Sequence, residues 1–250
     1  MIPLNNNLLI MKNYLFFALL CIGFSTTRAQ KIIDKHIPFS PKDFVAMNFQ
    51  ISDSIRIMTW KKDEVYIHSS IDVNDNQDND DYKMVFEESG KMINVSAKLE
   101  TGNIRRRRSG DSTHHSGDSV RHVGDVTVYS DNCCCCCDNY HTHIIHVVYV
   151  PENVDFSVET INGNITIVGN TAEIRAKSIS GYIDLAIAPD RKADLKMHTI
   201  TGTMYSNIEL PASRRIKQVG GGMVRAELNE GGKSIDLETI SGDIFFRKQS

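Results

Sequence analysis

The segments ETINGNI, KSISGYI, HTITGTM, KQVGGGM and ETISGDI recur along the C-terminal part of the chain, with glycines at Gly163, Gly181, Gly202, Gly221 and Gly242. Their spacings are 18, 21, 19 and 21 residues. A period near 20 residues marks units that bury their apolar faces only against one another. Around four of the glycines the residues seven, five and two before and two after are apolar, as in Phe156, Val158, Ile161 and Ile165. The Gly221 copy keeps only Ile216, Val219 and Met223.

Alternation of period two, in segments crowded with Thr, Ile, Val and Ser, specifies strands rather than helices. The apolar phase slips by one residue between the positions five and two before each glycine. A strand whose inward face changes parity has turned a corner, and the glycine suits a restricted backbone position there. The expected fold is therefore all-β, a β-solenoid or β-helix-like stack of short strands in coils of about 20 residues. Upstream, FVAMNFQ, SIRIMTW, EVYIHSSIDV, YKMVFEE and MINVSAKL read as further strands, and KLETGNI at 98–104 as a worn copy of the repeat.

The first residues are of another kind. Lys12, the apolar run Tyr14–Phe24 and small residues at Thr27 and Ala29 read as a cleavable secretory signal with its start at Met11, too short to span a bilayer. Leu19 and Leu20 before Cys21 argue against a lipid anchor. The expected organisation is a signal peptide at 1–29, a linker at 30–39, an N-terminal β segment at 40–104, a disordered Arg/His/Cys-rich insertion at 105–140 and solenoid repeats at 141–248. Cleavage removes Lys12 and Arg28 and leaves 26 basic against 31 acidic residues, a balance that disfavours nucleic acid as a partner. No later apolar stretch is long enough for a transmembrane helix.

The repeated T-I-[STN]-G-x-[IM] motif, the strand ending in VYVPENV before its first copy and the hairpin-like strands after a signal peptide together resemble the bacterial "putative adhesin" domain family. The resemblance covers about residues 40–248. It implies an exported β-helix-like domain with an adhesin-like role in the periplasm, on the outer surface or outside the cell, and it brings no catalytic residues. The insertion and the Gly221 copy depart from the family pattern.

If the coils stack in chain order, equivalent positions line up down a face. Arg175, Lys177, Lys196, His198, Arg215 and Lys217 then give the outward face a basic middle, either a solvated surface or a groove for an acidic glycan. Thr160, Ser178, Thr199, Gln218 and Thr239 form an inward polar ladder suited to bonding the turn backbone. An enzyme needs converging carboxylates or a nucleophile motif. Asp184 and Asp243 fall at different offsets, no GxSxG or HExxH occurs, and no catalytic residue is expected. Were polysaccharide cleavage found, His198 with Asp184 would be tested first.

The acidic stretch Asp72–Asp81 starts like a calcium loop but has Gln77 and Lys83 at the key positions, so it reads as a turn. Arg105–Arg108 reads as a solvated loop. The run Cys133–Cys137 precedes His141, His143 and His146. Cys133, Cys135 and Cys137 with His141 and His143 form a candidate Zn or Cu site, although five adjacent cysteines lack the two-to-four-residue spacing of a structural zinc site, and oxidation that leaves an odd thiol for intermolecular pairing is the other reading. Cofactors are otherwise expected to be absent. The sequence thus points to an exported, non-enzymatic binding protein for a cell-surface or envelope component such as a glycan. A periplasmic metal-sequestering protein is the alternative.

Overall fold

The computed structural model describes residues 29–41, 43–100, 140–210, 214–218 and 221–249. The expected signal segment, the arginine run and the five cysteines lie outside the described residues. The strands are β1 (Lys31–Pro38), β2 (Phe44–Trp60), β3 (Glu64–Val73), β4 (Tyr82–Ser89), β5 (Met92–Leu99), β6 (Thr142–Pro151), β7 (Asp155–Val168) and β8 (Ile174–Ser180). They continue as β9 (Ile183–Ile187), β10 (Ala193–Thr199), β11 (Met204–Ser206), β12 (Arg214–Gln218), β13 (Gly221–Leu228), β14 (Lys233–Ser241) and β15 (Ile244–Lys248).

The chain is all-β, as the period-two pattern requires, and its strands join in one open, mixed sheet. The sheet has two leaves that share β2 and β7, the strands long enough to pass through the corner. In leaf one the order is β4-β5-β2-β7-β8-β14-β10-β13-β12. In leaf two it is β1-β3-β6-β2-β7-β9-β15-β11. The repeat strands pair in parallel and in register, whereas β1, β3, β4, β12 and β13 run antiparallel to their neighbours.

Register converts the repeat into core. Val45, Phe156, Ile174, Ile235 and Leu195 form one buried row of leaf one. Ile55, Ile165, Ile183 and Ile244 form the matching row of leaf two. Each such side chain stabilises the fold by about 1.5–3 kcal/mol through burial.

Two expectations are corrected. The repeats do not wind in chain order as the expected solenoid would, because the last unit, β14–β15, lies between β8–β9 and β10–β11. Chain order would set Arg175 beside Lys196, a like-charge contact that the observed order avoids there while it keeps Lys196 opposite Arg225. The observed order interposes Asp236 and Glu238.

The phase slip also falls at a different place than expected. The inward phase holds through Thr160, Ser178, Thr199 and Thr239, so the following isoleucines face outward: Ile161, Ile179 and Ile200 are 44, 40 and 46% exposed. The buried hydroxyls bond the turn of the neighbouring unit. Ser178 donates to the Gly163 carbonyl at 3.2 Å, Thr239 to that of Gly181 at 3.3 Å and Thr199 to that of Gly242 at 3.0 Å. A Cβ on Gly181, Gly242 or Gly202 would collide with the carbonyl of the glycine stacked next to it. That close approach, together with φ values of +153° at Gly163 and +139° at Gly181, fixes glycine at the corner.

Candidate binding surface

The outward rows of leaf one contain four of the expected binding residues. One row reads Ser157, Arg175, Asp236, Lys196, Arg225 and the next Glu159, Lys177, Glu238, His198. Lys196 pairs with Asp236 at 2.9 Å, Lys177 with Glu238 at 3.6 Å and Arg175 with Glu173 at 3.3 Å. The fold therefore brings Arg175, Lys177, Lys196 and His198 onto one face and sets Asp236 and Glu238 between the β8 and β10 members, with Arg225 beside Lys196. Arg215 and Lys217 lie on β12, in register with Val224 and Gly222 rather than in line with Lys196 and His198.

Asp184 and His198 stand on different leaves. Asp184 is held by Arg247 through both Nε and Nη2, which raises the pKa of Arg247. Asp243 accepts from the Thr203 N–H. The acidic stretch spends its polar groups on its own turn: Asp72 accepts from the Asn76 N–H and Asn79 from the Val73 N–H, with Asn74, Asp75 and Asn76 all at positive φ.

Of the candidate metal ligands, Cys133, Cys135 and Cys137 lie outside the described residues. His141 exchanges hydrogen bonds with Asn74 through its backbone N–H and C=O. His143 is exposed at the start of β6, its Nδ1 3.9 Å from Asp53. Among the described residues no three His, Cys, Asp or Glu side chains are grouped to hold an ion. His146 points inward, as strand alternation requires, and is fully buried between Ser69 (2.8 Å from Nδ1) and the Tyr82 hydroxyl (2.9 Å from Nε2).

The feature that the repeats do not signal is a row of rings on the outer side of leaf two. Register sets His36, Tyr66 and Tyr149 side by side across β1, β3 and β6, and Trp60 lies diagonal to Tyr149 at the end of β2. Centroid distances are 4.5 Å for His36–Tyr66, 6.0 Å for Tyr66–Tyr149 and 5.2 Å for Trp60–Tyr149, with planes tilted by 26, 25 and 30°. Polar contacts fix the shelf. Tyr66 donates to Asp34 at 2.6 Å, and this bond, followed by that to His68, lowers the Asp34 pKa. Trp60 Nε1 donates to the Glu64 carbonyl at 2.8 Å, and Lys62 Nζ sits 4.4 Å from the Trp60 ring centre. Cross-strand rings stabilise a sheet in any case. These four also give the outer face an apolar body with hydroxyl, imidazole and indole edges, the composition of contact surfaces. The sequence signal was Trp60, Tyr66 and Tyr149 in the outward phase of three separate strands, which acquires meaning only through the pairing.

These features define an all-β protein with an open, mixed sheet and a ring-lined outer face. No family model matches the chain, and no curated protein matches it. Among solved structures it is similar to a "putative cell adhesion protein" of Clostridium sporogenes, at 10% identity and TM-score 0.49 over 88% of this chain and 100% of that one. It is similar to a "putative adhesin" of Bacteroides fragilis at 9% identity and TM-score 0.27, over 89 and 99%. A "putative adhesin" of Parabacteroides merdae follows at 8% identity and TM-score 0.22, over 88 and 97%. None of these three names is that of an enzyme. All three scores fall below 0.5, and the functional reading below rests on this chain's own residues. Among the described residues no helix is long and apolar enough to cross a membrane.

Proposed function

We propose that this chain is an exported, non-enzymatic, adhesin-like protein of the bacterial cell envelope that works by binding a surface glycan, matrix or envelope component. The observation that carries the reading is the shelf of His36, Trp60, Tyr66 and Tyr149. Three large rings and an imidazole, partly open to solvent and pinned by Asp34 and Glu64, form a rigid surface with few freezable torsions. A sugar ring offers it apolar C–H faces and hydroxyls together. Arg175, Lys177, Lys196 and His198 add a second, charged contact face on leaf one. A polyanion gains little there, because Asp236 and Glu238 stand among the cations.

The test is binding of the intact protein to immobilised glycans, extracellular matrix and envelope fractions. The Tyr66→Ala/Tyr149→Ala double variant is expected to lose affinity about tenfold or more at unchanged secondary structure, since aromatic anchors dominate such contacts. Absence of affinity for every fraction, or a folded double variant that binds as well as the parent, overturns the reading. Turnover of a bound polysaccharide overturns its non-enzymatic part.

A further inference from the structure

The segment joining β9 to β10 carries an arginine in an unusual setting. Arg191 is 9% exposed, and among the described residues no carboxylate lies within ion-pair distance of it. Its guanidinium donates from Nη1 to Thr171 Oγ1 at 3.3 Å and from Nη2 to the Ala172 carbonyl, both in the segment joining β7 to β8. These neutral partners leave the charge uncompensated, and buried charges are ordinarily paired. Among the described residues Nε has no hydrogen-bond partner. It is not a sealed atom either, because Ser52 Oγ is the only buried unpartnered side-chain polar atom among the described residues. The guanidinium therefore keeps donor capacity, and Arg191 borders two clefts, one walled largely by Ile187, Ile208, Leu210 and Leu228 and the other a polar cleft.

That cleft, of about 750 Å³, is lined by Arg191, Thr171, Asn153, Asn170, Asp190 and Asp155, among others. Its size suits a small ligand. The other two cations on its wall are occupied: Lys192 pairs with Glu230 at 2.8 Å and Lys233 with Asp155 at 3.3 Å. The side-chain amides of Asn153 and Asn170 have no partner among the described residues, so they offer donors and acceptors to hydroxyls. Asp190 offers a further acceptor, and with Asp155 it repels a multiply charged anion. The cleft adjoins the Trp60 end of the ring shelf, since Glu152 donates to the Trp60 carbonyl and the Asn170 N–H to Thr59 Oγ1.

We propose that this cleft binds an acidic sugar of the hexuronate class, with its single carboxylate on Arg191 and its hydroxyls on Asn153, Asn170 and Asp190. Arginine matches a carboxylate with two parallel donors, which a lysine cannot do. Burial pulls the guanidinium pKa down to about 10, which leaves it charged at neutral pH. The inference rests on the glycan reading above and names the class of sugar.

Calorimetric or NMR titration with glucuronate, galacturonate, glucuronamide, glucose and acetate tests it. Glucuronate or galacturonate is expected to bind at least about tenfold more tightly than glucose, glucuronamide or acetate. Arg191→Gln should abolish that preference and Asn170→Ala should weaken acidic-sugar binding at unchanged Tm. If Arg191→Gln does not fold, the glucuronate-to-glucuronamide ratio on the parent and Asn170→Ala decide the matter. Equal binding of acidic and neutral sugars, or acetate binding as tightly as glucuronate, overturns this inference and leaves the shelf reading intact. A folded Arg191→Gln that keeps the preference overturns it too. Failure of every sugar, with the shelf variant also without effect on glycan binding, overturns both.

Discussion

His146 is neutral in the core. Burial lowers its pKa to about 3, and its ring stacks on Phe49 at 4.2 Å. One proton arrangement satisfies the group: Ser69 donates to Nδ1, Nε2–H donates to Tyr82, and the Tyr82 hydroxyl donates to the Ile51 carbonyl at 3.3 Å. The folded pKa lies below the ordinary value of 6.5. The unfolded chain therefore takes up the proton first, and stability falls as pH drops from 6.5 toward 3. Chemical denaturation should show about 2 kcal/mol of His146-dependent loss between pH 7 and pH 5. His146→Gln, uncharged throughout, should remove that part of the slope, and an unchanged slope would contradict the assignment. Strand alternation alone places His146 on the opposite side of β6 from His143. It could not supply Ser69 and Tyr82, which arrive from β3 and β4. Arg191 was silent for the same reason, since no local motif marks an arginine whose importance is the absence of a carboxylate.

At the scale of elements, the corner is where sequence and structure agree most closely and where they part. The glycines, the parity change and the inward hydroxyl ladder were all legible, because each is a local consequence of a strand bending. The position of the slip was not, since an isoleucine two before glycine suits a buried or an exposed site equally until its neighbours are known. Ile161, Ile179, Ile240 and Ile200 instead follow in-register residues along the outer side of the bend. Close packing rather than backbone conformation should dominate the corner energetics. Gly242→Ala, whose Cβ meets the Gly181 carbonyl, should cost more than about 2 kcal/mol. Gly90→Ala, in the open β4–β5 turn at φ +62°, should cost about 1 kcal/mol. Equal losses in urea denaturation would count against the stacked-glycine corner.

For the whole molecule, period-two patterning gave the all-β class and the repeat of about 20 residues gave the in-register contact of its copies. Strand order was harder, because a repeat fits beside any other repeat and chain order is the simplest assumption. The outward charges match the observed order at one point, where Asp236 fits between Arg175 and Lys196, and not at another, where Lys196 faces Arg225. Strand order also bears on the proposed function, since it sets Asp236 and Glu238 among the cations of leaf one and leaves the ring shelf and the Arg191 cleft as the proposed ligand sites. The decisive measurement is a pairwise cysteine cross-link in a protein whose Cys133–Cys137 are replaced by Ser. Lys177 and Glu238 are paired in register on adjacent strands, at a separation of about 5 Å that permits a disulfide, whereas Lys177 and His198 are two strands, about 10 Å, apart. After mild oxidation and peptide mapping, Lys177→Cys/Glu238→Cys should cross-link nearly completely and Lys177→Cys/His198→Cys should stay reduced. A cross-link between positions 177 and 198, with none between 177 and 238, would contradict the fold on which both proposed binding sites depend.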